Sequence, residues 1–411
     1  MVPSNRPPEV LLAAPPASAR VQDGAATSAR SRPCRRKVFY LLDSLNIGGT
    51  EVQAVELATR INPDQYEVTL GCLRARGPLL EKLKGSSVLV REFYPKGGFD
   101  SPHGLYQMFR LAFFLRRGGF QIMHAHDLYA NILGIPAAVL ARVPVIISSQ
   151  RDLGHLDLYK SRRRIWLRRL QKLSTVVLTN AKAVREVVLA EDHFAPEKVK
   201  VIHNGVDLDR FSQRSQDRAW LSPTGNDERW IVLVGNMHGD VKGHPVLIAA
   251  AEAVVRAFPD VRFLFAGDGQ RRKEFEEKAS SVGIANHFYF LGRRDDIPRL
   301  LSCCDIGVLP SKAEGLPNAV LEYLAAGLPT IASRVGGNAE IIDDGKTGLL
   351  VPAEDSAALA DALLRLLRNP GLADALGKSG RQYVAAEFTF QRLIEKTDQM
   401  YTDLLRARGM E

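Results

Sequence analysis

Two glutamates with seven residues between them bound the segment of this chain whose residue types could best do chemistry. The segment reads Glu314-Gly-Leu-Pro-Asn-Ala-Val-Leu-Glu322 and follows an apolar run at residues 306–309. Pro317 suits the first position of a helix, because the backbone N–H that proline lacks would have no partner there. The free N–H groups of residues 318–320 would then form an anion site suited to a diphosphate.

The two carboxylates of this segment are placed for binding rather than for joint acid–base work. Glu314 precedes the predicted helix and Glu322 lies about two turns into it, which is too far for a close catalytic pair. They could accept hydrogen bonds from hydroxyls on two different parts of one ligand. A capped helix with surface carboxylates explains the segment equally well if it is taken alone.

Glycines and charged residues also gather after other apolar runs. Gly48-Gly49 follows the first run and opens a predicted helix, which allows a ligand to approach the backbone closely. Lys242-Gly243 lies in the loop after the first run of the second half, where a cation can reach a phosphate. Gly267-Asp268-Gly269 and Gly336-Gly337 follow further runs. Structure alone explains this recurrence poorly, so a shared ligand site is indicated.

Short apolar runs alternate with longer amphipathic stretches along most of the chain. This pattern predicts βα units and parallel sheets, because strands buried on both faces are apolar throughout. A mostly polar stretch at 212–228, with one proline and one glycine, interrupts the alternation and is interpreted as a linker. The predicted strands are residues 38–42, 67–73, 88–93, 120–124, 143–148, 175–179 and 198–203 before it, and 230–234, 262–266, 288–291, 306–309, 330–333 and 348–351 after it.

Two sets of such units predict an α/β fold of two doubly wound, Rossmann-like parallel-sheet domains that face a central cleft. Ligands of these sheets bind outside the carboxyl ends of the strands. The domains are predicted at residues 37–211 and 229–388. Residues 1–36, with six prolines among Ala, Ser and Arg, are predicted to be a disordered basic tail.

Composition and charge limit the classes of function. Of the 411 residues, 45% are hydrophobic and 25% charged, which excludes a fibrous or mostly disordered protein. The net charge of +9 suggests nucleic acid, an anionic membrane or a phosphorylated substrate as a partner. The basic excess falls in residues 1–211, because residues 212–411 have 24 basic and 27 acidic side chains.

Neither a membrane span nor a disulfide framework is predicted. The longest apolar stretch, residues 128–141, has 14 residues and contains a proline, whereas a span needs about 20. The four cysteines lack metal-ligand spacing, and their placement is typical of a reducing compartment. We therefore expect a cytoplasmic protein.

Six motifs follow one another in a specific order. They are Ile47-Gly-Gly-Thr-Glu51, Met123-His-Ala-His126, Val201-Ile-His-Asn-Gly-Val-Asp207, the segment from Glu314 to Glu322, Ser333-Arg-Val-Gly-Gly337 and Asp344-Gly-Lys-Thr-Gly-Leu-Leu-Val-Pro352. Together they resemble a retaining glycosyltransferase of family 4 with the GT-B architecture, from about Lys37 to the end of the chain. The resemblance implies transfer of a hexose from a nucleotide-diphosphate sugar, either a UDP-sugar or GDP-mannose, to a glycan or lipid-linked acceptor in cell-surface polysaccharide or glycolipid synthesis.

The resemblance also implies roles for individual residues. Glu314 would bind donor-sugar hydroxyls, and Glu322 would bind the ribose. Lys242 and the amides after Gly315 would hold the diphosphate, and His126 would lie beside the donor sugar. His126, Glu314 and Lys242 are thus the candidate catalytic residues. The remaining candidate donor-binding residues are Gly48, Gly49, Asn236, Gly292, Arg293, Gly315, Leu316, Pro317, Asn318 and Ala319.

Two further expectations follow from the same resemblance. Residues 389–411 would form a helix that crosses back onto the first domain. Relatives commonly have an arginine after the glycine of the second-domain phosphate loop, but here Asn236 follows Gly235. Either Lys242 and the helix amides suffice for the diphosphate, or another arginine substitutes, for which Arg334 is a weak candidate.

Transfer is expected to proceed without a metal ion. The resemblance implies front-face attack with retention, in which the leaving phosphate takes the acceptor proton. Lys242 and the helix start would neutralise the leaving group as Mg²⁺ does in other enzymes. Asp207-Leu-Asp209 has the letters of a metal-binding motif but leads into the linker, so we expect no metal site and no cofactor apart from the donor substrate.

A histidine at a strand end is often structural. For His126 the resemblance implies a place beside the donor sugar instead. His124, two residues earlier, is interpreted as structural. His203 stands where relatives commonly have proline and is assigned no role.

Residues 160–172 contain seven basic and no acidic side chains, with Trp166, Leu167 and Leu170 interleaved at near-helical spacing. This is either a core helix with a solvated basic face or a patch for anionic lipid headgroups or a lipid-diphosphate acceptor, which would place the protein peripherally on the inner face of the cell membrane. Nucleic acid is not expected, because no recognition motif accompanies the charge. The candidate residues on the acceptor or membrane side are Arg151, Asp152, Arg162, Arg163, Arg164, Arg168 and Arg169.

Two rival functions make different predictions. A non-catalytic nucleotide-sugar-binding or scaffold protein on the same fold predicts loss of His126, Lys242, Glu314 or Glu322, and all four are present. A glycogen-type phosphorylase would be longer and would have a cofactor-lysine context that this sequence lacks.

Overall fold

Strands and helices alternate along the part of the chain that the computed structural model describes, residues 35–153, 162–212, 217–218, 220–221 and 228–410. In the first half of this part the strands are β1 (Arg36–Ser44), β2 (Tyr66–Arg74), β3 (Leu89–Glu92), β4 (Ile122–Ala125), β5 (Val145–Gln150), β6 (Val176–Thr179) and β7 (Val199–Val201). The helices of this half are α1 (Gly49–Arg60), α2 (Leu79–Leu83), α3 (Pro102–Gly118), α4 (Leu128–Ala141), α5 (Arg162–Gln171) and α6 (Lys182–Asp192).

The second half repeats this alternation. Its strands are β8 (Arg229–Val234), β9 (Val261–Ala266), β10 (Phe288–Gly292), β11 (Ile306–Leu309), β12 (Thr330–Ser333) and β13 (Leu349–Val351). Its helices are α7 (His244–Ala257), α8 (Arg272–Ser281), α9 (Ile297–Ser302), α10 (Asn318–Ala325), α11 (Asn338–Ile341), α12 (Ser356–Arg368), α13 (Pro370–Glu387) and α14 (Phe390–Arg406).

Both sheets are parallel and doubly wound. The first has the strand order β3-β2-β1-β4-β5-β6-β7 and the second the order β10-β9-β8-β11-β12-β13. Strand order reverses between β1 and β4 in one sheet and between β8 and β11 in the other, and such switch points open a crevice at the carboxyl ends of the strands. The α/β fold of two Rossmann-like domains predicted from the alternation is confirmed.

The strands are buried on both faces, as their apolar sequences require. In the first sheet Tyr40 and Leu42 of β1 face one helix layer, while Phe39 and Leu41 face the other. In the second sheet Trp230 and Val232 of β8 face one helix layer, while Ile231 and Leu233 face the other. Because each strand is sandwiched between helices, the loops at the strand ends are where polar groups can be exposed to a ligand.

The last helix of the chain packs against the first sheet. The buried side chains of α14 are in the same hydrophobic cluster as Val38 and Tyr40 of β1. The hydroxyl of Tyr401 lies 2.8 Å from His124 Nδ1 and 3.1 Å from the hydroxyl of Tyr40. His124 Nε2 lies 2.8 Å from Ser149 Oγ. These buried contacts attach α14 to β1, β4 and β5.

Part of what the sequence predicted lies outside the described residues, namely residues 1–34 of the predicted tail and most of the predicted linker at 212–228. At the described linker positions, the Arg218 guanidinium donates to the carbonyls of Cys303 and Glu228 and pairs with Asp305. Within the described ranges no helix is long and apolar enough to cross a membrane.

Replacing Tyr401 with phenylalanine is expected to destabilise the protein. The change removes the buried hydroxyl that contacts His124 and Tyr40, and it leaves both groups short of a partner. We expect a loss of about 1–3 kcal/mol in the free energy of unfolding, measured by chemical denaturation. Tyr106→Phe, at an exposed hydroxyl of α3, is the matched control. Equal denaturation midpoints for the two variants would contradict the role of this contact.

Candidate active site

A cavity of about 490 Å³ lies among the loops that follow the strands of both sheets. The first domain contributes residues that follow β1, β5, β6 and β7, and the second contributes the loops after β8 and β11. Its wall comprises Gly49, Thr50, Arg151, Asp152, Leu153, Asn180, Asn204, Asn236, His238, Gly239, Val241, Lys242, Ala313, Glu314, Gly315, Leu316, Pro317 and Asn318. Most of the predicted donor-side residues therefore meet in one place.

Lys242 and Glu314 form an ion pair in the wall of this cavity. Lys242 Nζ lies 2.7 Å from Glu314 Oε1 and 3.0 Å from Oε2. The hydroxyl of Ser311 donates to the same Oε1 at 2.6 Å. Because Glu314 is only 8% exposed, these contacts compensate the burial of its charge. The pair presents a cation and a hydrogen-bond acceptor side by side.

Helix α10 begins in the cavity wall. Its first residue is Asn318, with Pro317 as the N-cap, so the helix starts one residue later than the sequence predicted. The backbone N–H groups of its first turn have no partner within the helix, because an α-helix leaves its first donors unpaired. They add partial positive charge beside Lys242, which suits an anionic ligand.

A set of hydrogen bonds joins the start of α10 to the first domain. Asn204 Nδ2 donates to Leu316 O at 2.9 Å and to Asn318 Oδ1 at 2.8 Å. Asn318 Nδ2 donates to Gly49 O at 3.2 Å. Gln53 Nε2 donates to Gly205 O at 2.8 Å and also lies 3.3 Å from Asn318 Oδ1. The two domains therefore share the residues that shape the cavity.

Two glycines at this junction differ in the space around them. A Cβ at Gly315 would lie 2.1 Å from the carbonyl oxygen of Arg151, so no side chain fits where the second domain meets the first. A Cβ at Gly49 would instead meet one atom, Asn318 Nδ2, at 3.6 Å. The space that a side chain would fill beside Gly49 is thus open to a ligand.

His126 directly follows β4, is buried, and is not among the residues that line the cavity. Its ring stacks on His124 at 4.0 Å between centroids and meets Tyr40 edge-on at 5.2 Å. Burial lowers the pKa of His126 well below its usual value, and the nearby His124 and Arg151 lower it further. Neither ring nitrogen has a hydrogen-bond partner among the described residues. Buried polar atoms normally have hydrogen-bond partners, so a ligand could supply the partner that the neutral imidazole of His126 lacks.

The residue after His126 has a strained backbone. Asp127 has φ 78° and ψ 172°, a combination that side chains rarely adopt, and its carboxylate accepts a bond from Leu128 N at 2.6 Å as the N-cap of α4. Such strain persists where the surroundings over-determine the conformation. Here it fixes the chain direction directly after His126.

Arg151 contributes a second cation to the cavity. Its Nη2 donates to Asn204 Oδ1 at 2.6 Å, beside the start of α10. Burial lowers the pKa of Arg151 to about 10, against the opposing charges of Asp127 and Glu51, so the guanidinium is charged at neutral pH. No carboxylate of the described residues forms an ion pair with it. The sequence had placed Arg151 on the acceptor or membrane side, and the structure places it in the same wall as Lys242.

Other predicted residues lie outside the wall of this cavity. These are Gly48, His126, Gly292, Arg293, Ala319 and Glu322. Glu322 lies within α10, where burial raises the pKa of its carboxyl to about 7. Gly292 ends β10 with φ +65°, and its carbonyl accepts a bond from Gly267 N at 2.9 Å.

Several charged groups singled out in the sequence have partners elsewhere. Arg334, the suggested substitute for the missing loop arginine, lies 2.5 Å from Asp344 and is outside the cavity wall. Asp207 of the Asp-Leu-Asp motif lies 2.5 Å from Arg60. In the part of the chain that the structure describes, no group of three His, Cys, Asp or Glu side chains is arranged to hold a metal ion.

The basic segment is only partly described. Lys160 lies outside the described residues, and α5 begins at Arg162. Arg168 pairs with Asp192 at 2.7 Å, whereas Arg169 and Lys172 are exposed.

Asn180 and Asn204 were missed as individual site residues in the sequence. Asn204 lies inside one of the quoted motifs, so the motif was the available signal. Asn180 directly follows β6, and its buried Oδ1 has no hydrogen-bond partner within the described ranges. A polar residue at the carboxyl end of a buried parallel strand could have marked it.

His203 has a contact that the sequence did not suggest. Its Nε2 lies 2.9 Å from Glu340 Oε2, and the Glu340 carboxylate also accepts the N–H groups of Lys182 and Ala183 at the start of α6. Because Glu340 belongs to the second domain, this is another contact between the domains.

Comparison with known families identifies both halves of the chain. Residues 47–210 match the family described as Glycosyltransferase Family 4, and residues 228–369 match Glycosyl transferases group 1. The two matches leave out residues 1–46, 211–227 and 370–411.

Two characterised relatives match over most of their length. The phosphatidyl-myo-inositol mannosyltransferase of Mycobacterium leprae is 30% identical over 274 residues, which are 65% of this chain and 69% of that protein. The UDP-Gal:alpha-D-GlcNAc-diphosphoundecaprenol alpha-1,3-galactosyltransferase of Escherichia coli is 25% identical over 359 residues, covering 83% of this chain and 90% of that protein.

Solved structures share the fold. The crystal structure of Anabaena HepE in complex with UDP and glucose superposes with a TM-score of 0.79 at 20% identity, over 90% of this chain and 100% of that one. Together, the sequence relatives and the two-sheet architecture show that the chain belongs to glycosyltransferase family 4, within the group 1 glycosyltransferases, and is an enzyme of the GT-B fold.

Proposed function

We propose that the enzyme transfers a hexose from a nucleotide-diphosphate sugar to a glycan or lipid-linked acceptor, with retention and without a metal ion. The observation that carries this proposal is the single cavity in which Lys242, Glu314 and the start of α10 face Gly49 of the other domain. The named activities of relatives support the substrate class, since one acts on a diphosphoundecaprenol-linked sugar and another on phosphatidyl-myo-inositol. Anabaena HepE was crystallised with UDP and glucose.

The diphosphate of the donor binds between two cations and a helix start in this proposal. Lys242 approaches from the second domain and Arg151 from the first, while the free N–H groups at the start of α10 lie between them. Lys242 already pairs with the Glu314 carboxylate, whereas Arg151 donates to the neutral side chain of Asn204. Arg151 therefore has donors available for the ligand, and it takes the place of the arginine that Asn236 replaces in the phosphate loop.

The donor sugar lies beside Glu314 and His126. Glu314 accepts hydrogen bonds from sugar hydroxyls through the carboxylate lone pairs that Lys242 and Ser311 leave free. The lowered pKa of His126 keeps its imidazole neutral, so the ring exchanges a hydrogen bond with a sugar hydroxyl and does not serve as a general acid. Glu322 binds the ribose, with the backbone of Gly292 and Arg293 facing the base.

Retention follows from attack on the face that the leaving group departs from. The bond between the anomeric carbon and the diphosphate oxygen breaks, and its electron pair stays on the phosphate. The acceptor hydroxyl oxygen bonds to the same face of the anomeric carbon, and its proton goes to the departing phosphate oxygen. Lys242, Arg151 and the α10 amides stabilise the developing charge, which is the main demand of this reaction on the protein.

A lipid-linked acceptor requires that the enzyme reach a membrane surface. We therefore include a peripheral membrane location in the proposal, as the sequence of residues 160–172 suggested. Exposed Arg169 and Lys172 at the end of α5 and directly after it are the described charges of this segment that could contact anionic headgroups.

Transfer is expected to continue in EDTA and to preserve the anomeric configuration of the donor. The two cations and the helix start supply the charge stabilisation that a divalent ion would otherwise give. Nucleotide-sugars would be screened for turnover, and the product anomer would be assigned by NMR. Strict dependence on a divalent ion, or an inverted product, would refute this mechanism. If the protein bound nucleotide-sugars but did not turn them over, the proposed function would be refuted.

His126→Ala is expected to remove transfer while preserving binding of the free nucleotide. The variant loses the contact to the sugar but no contact to the diphosphate, so kcat should fall by about 10² to 10³-fold. Nucleoside diphosphate affinity and the unfolding midpoint would be measured alongside turnover. His103→Ala, on the exposed face of α3, is the control. Normal turnover by the His126 variant would place this residue outside the site.

Arg151→Gln is expected to weaken UDP or GDP binding by about ten- to a hundredfold, because a charged hydrogen bond to the diphosphate is lost. The affinity for uridine or guanosine, which lack phosphates, should not change. Arg334→Gln, which removes a guanidinium paired with Asp344 outside the cavity, is the matched control. A higher KM for the acceptor with unchanged UDP and GDP affinity would instead assign Arg151 to the acceptor.

A further inference from the structure

Large apolar side chains are exposed on one side of the first domain. Of the eleven that are exposed in the described ranges, eight belong to three helices. These eight, here called the α3–α4–α5 face, are Leu105, Tyr106, Phe109 and Phe113 of α3, Val139 and Leu140 of α4, and Ile165 and Trp166 of α5. Phe113 is 66% exposed and Trp166 60%. Such clustering differs from the scattered exposure that is normal for a folded protein.

The three helices lie side by side. Helix α3 packs on α4, and α4 packs on α5. Buried Leu167 of α5 contacts buried Leu128 of α4, and Tyr129 and Ile132 pack around them. The exposed residues are therefore on neighbouring elements of one layer and can contact the same partner.

The charged side chains within the three helices are of one sign. Helices α3, α4 and α5 contain no Asp or Glu. Exposed Arg110, Arg116 and Arg117 lie on α3, Arg142 follows α4, and Arg169 lies on α5. Arg168 of α5 pairs with Asp192 of α6. Apolar and aromatic side chains interleaved with arginines are complementary to an anionic lipid surface, where rings enter the interface and guanidinium groups reach the phosphates.

The same face is connected to the reaction cavity through its helices. Each of α3, α4 and α5 follows a strand of the parallel sheet, so each begins at the edge of the sheet where the cavity lies. Helix α4 begins two residues after His126. Leu105 and Tyr106 lie in the first turns of α3, and Ile165 and Trp166 in the first half of α5. A surface that contacted these residues would lie close to the entrance for an acceptor.

We propose that the α3–α4–α5 face docks the enzyme on a bilayer that contains anionic lipids. The proposal deepens the peripheral location included in the proposed function, and it names the apolar residues of α3, which the basic segment at 160–172 does not include. Docking requires partial insertion of Phe109 and Phe113, with the surrounding arginines at the headgroup phosphates. A bilayer fits better than a second copy of the chain, because the arginines of this face would lie opposite the same arginines in a symmetric dimer.

Flotation of the full chain with vesicles tests the proposal. Vesicles of phosphatidylcholine alone are compared with vesicles that also contain phosphatidylglycerol. We expect binding to the mixed vesicles only, and a loss of about tenfold or more for the double variant Phe109→Ser/Phe113→Ser. The variant Arg116→Gln/Arg117→Gln should bind about fivefold more weakly for each charge removed. Leu89→Ser, at an apolar side chain of β3 that is 58% exposed, is the control and should bind like the wild type.

Separate readouts distinguish failure of docking from failure of the transferase function. UDP and GDP affinity and the unfolding midpoint are measured for each variant, since all the substituted side chains are exposed and lie outside the cavity wall. Absence of vesicle binding, or equal binding by the wild type and both double variants, would overturn the proposal. A dimer in solution that the phenylalanine variant dissociates, without vesicle binding, would also overturn it and would assign the face to self-association. Each of these results leaves the transfer reaction to be judged by its own assays.

Discussion

The contact between Asn204 and the start of α10 is the interaction on which the rest of the site depends. One amide donates to Leu316 O and Asn318 Oδ1 and accepts from Arg151. Asn204 thus binds a backbone carbonyl and a side-chain oxygen at the rim of the cavity, and it uses none of the first N–H groups of α10. An α-helix leaves these first N–H groups without partners inside the helix. They therefore stay free to face a ligand.

His124 in β4 and His126 directly after it show how the surroundings of a residue decide its role. Both are buried and uncharged, since burial lowers the pKa of each. His124 has Tyr401 and Ser149 as partners for its two nitrogens, so it attaches the last helix to the sheet. His126 has neither, and its neighbour Asp127 has a strained backbone. The satisfied ring is structural, and the unsatisfied ring is where binding energy can be gained.

The sequence predicted the fold better than the site. Buried parallel strands are continuous apolar runs, so β11 and β12 were predicted with the ends that the structure has. The motifs also predicted that Lys242, Glu314 and Gly49 bind one ligand, and in the structure all three line one cavity. The position of Arg151 in the same cavity wall as Lys242 was not predicted, because it depends on how the loop after β5 meets Gly315 of the other domain. Contacts between domains leave no periodic signal in either partner.

The kind of partner that the basic excess of the first half indicates depends on the apolar residues that lie among the charges. Helix α3 reads from sequence as an ordinary amphipathic helix, because Leu111, Ala112 and Leu115 face the core. Its other face would be polar if it faced only water, yet it carries Tyr106, Phe109 and Phe113. Charge alone would equally suit nucleic acid or a soluble phosphorylated partner. Exposed aromatic rings between arginines favour an interface that is apolar and anionic at once, and a bilayer surface has both properties.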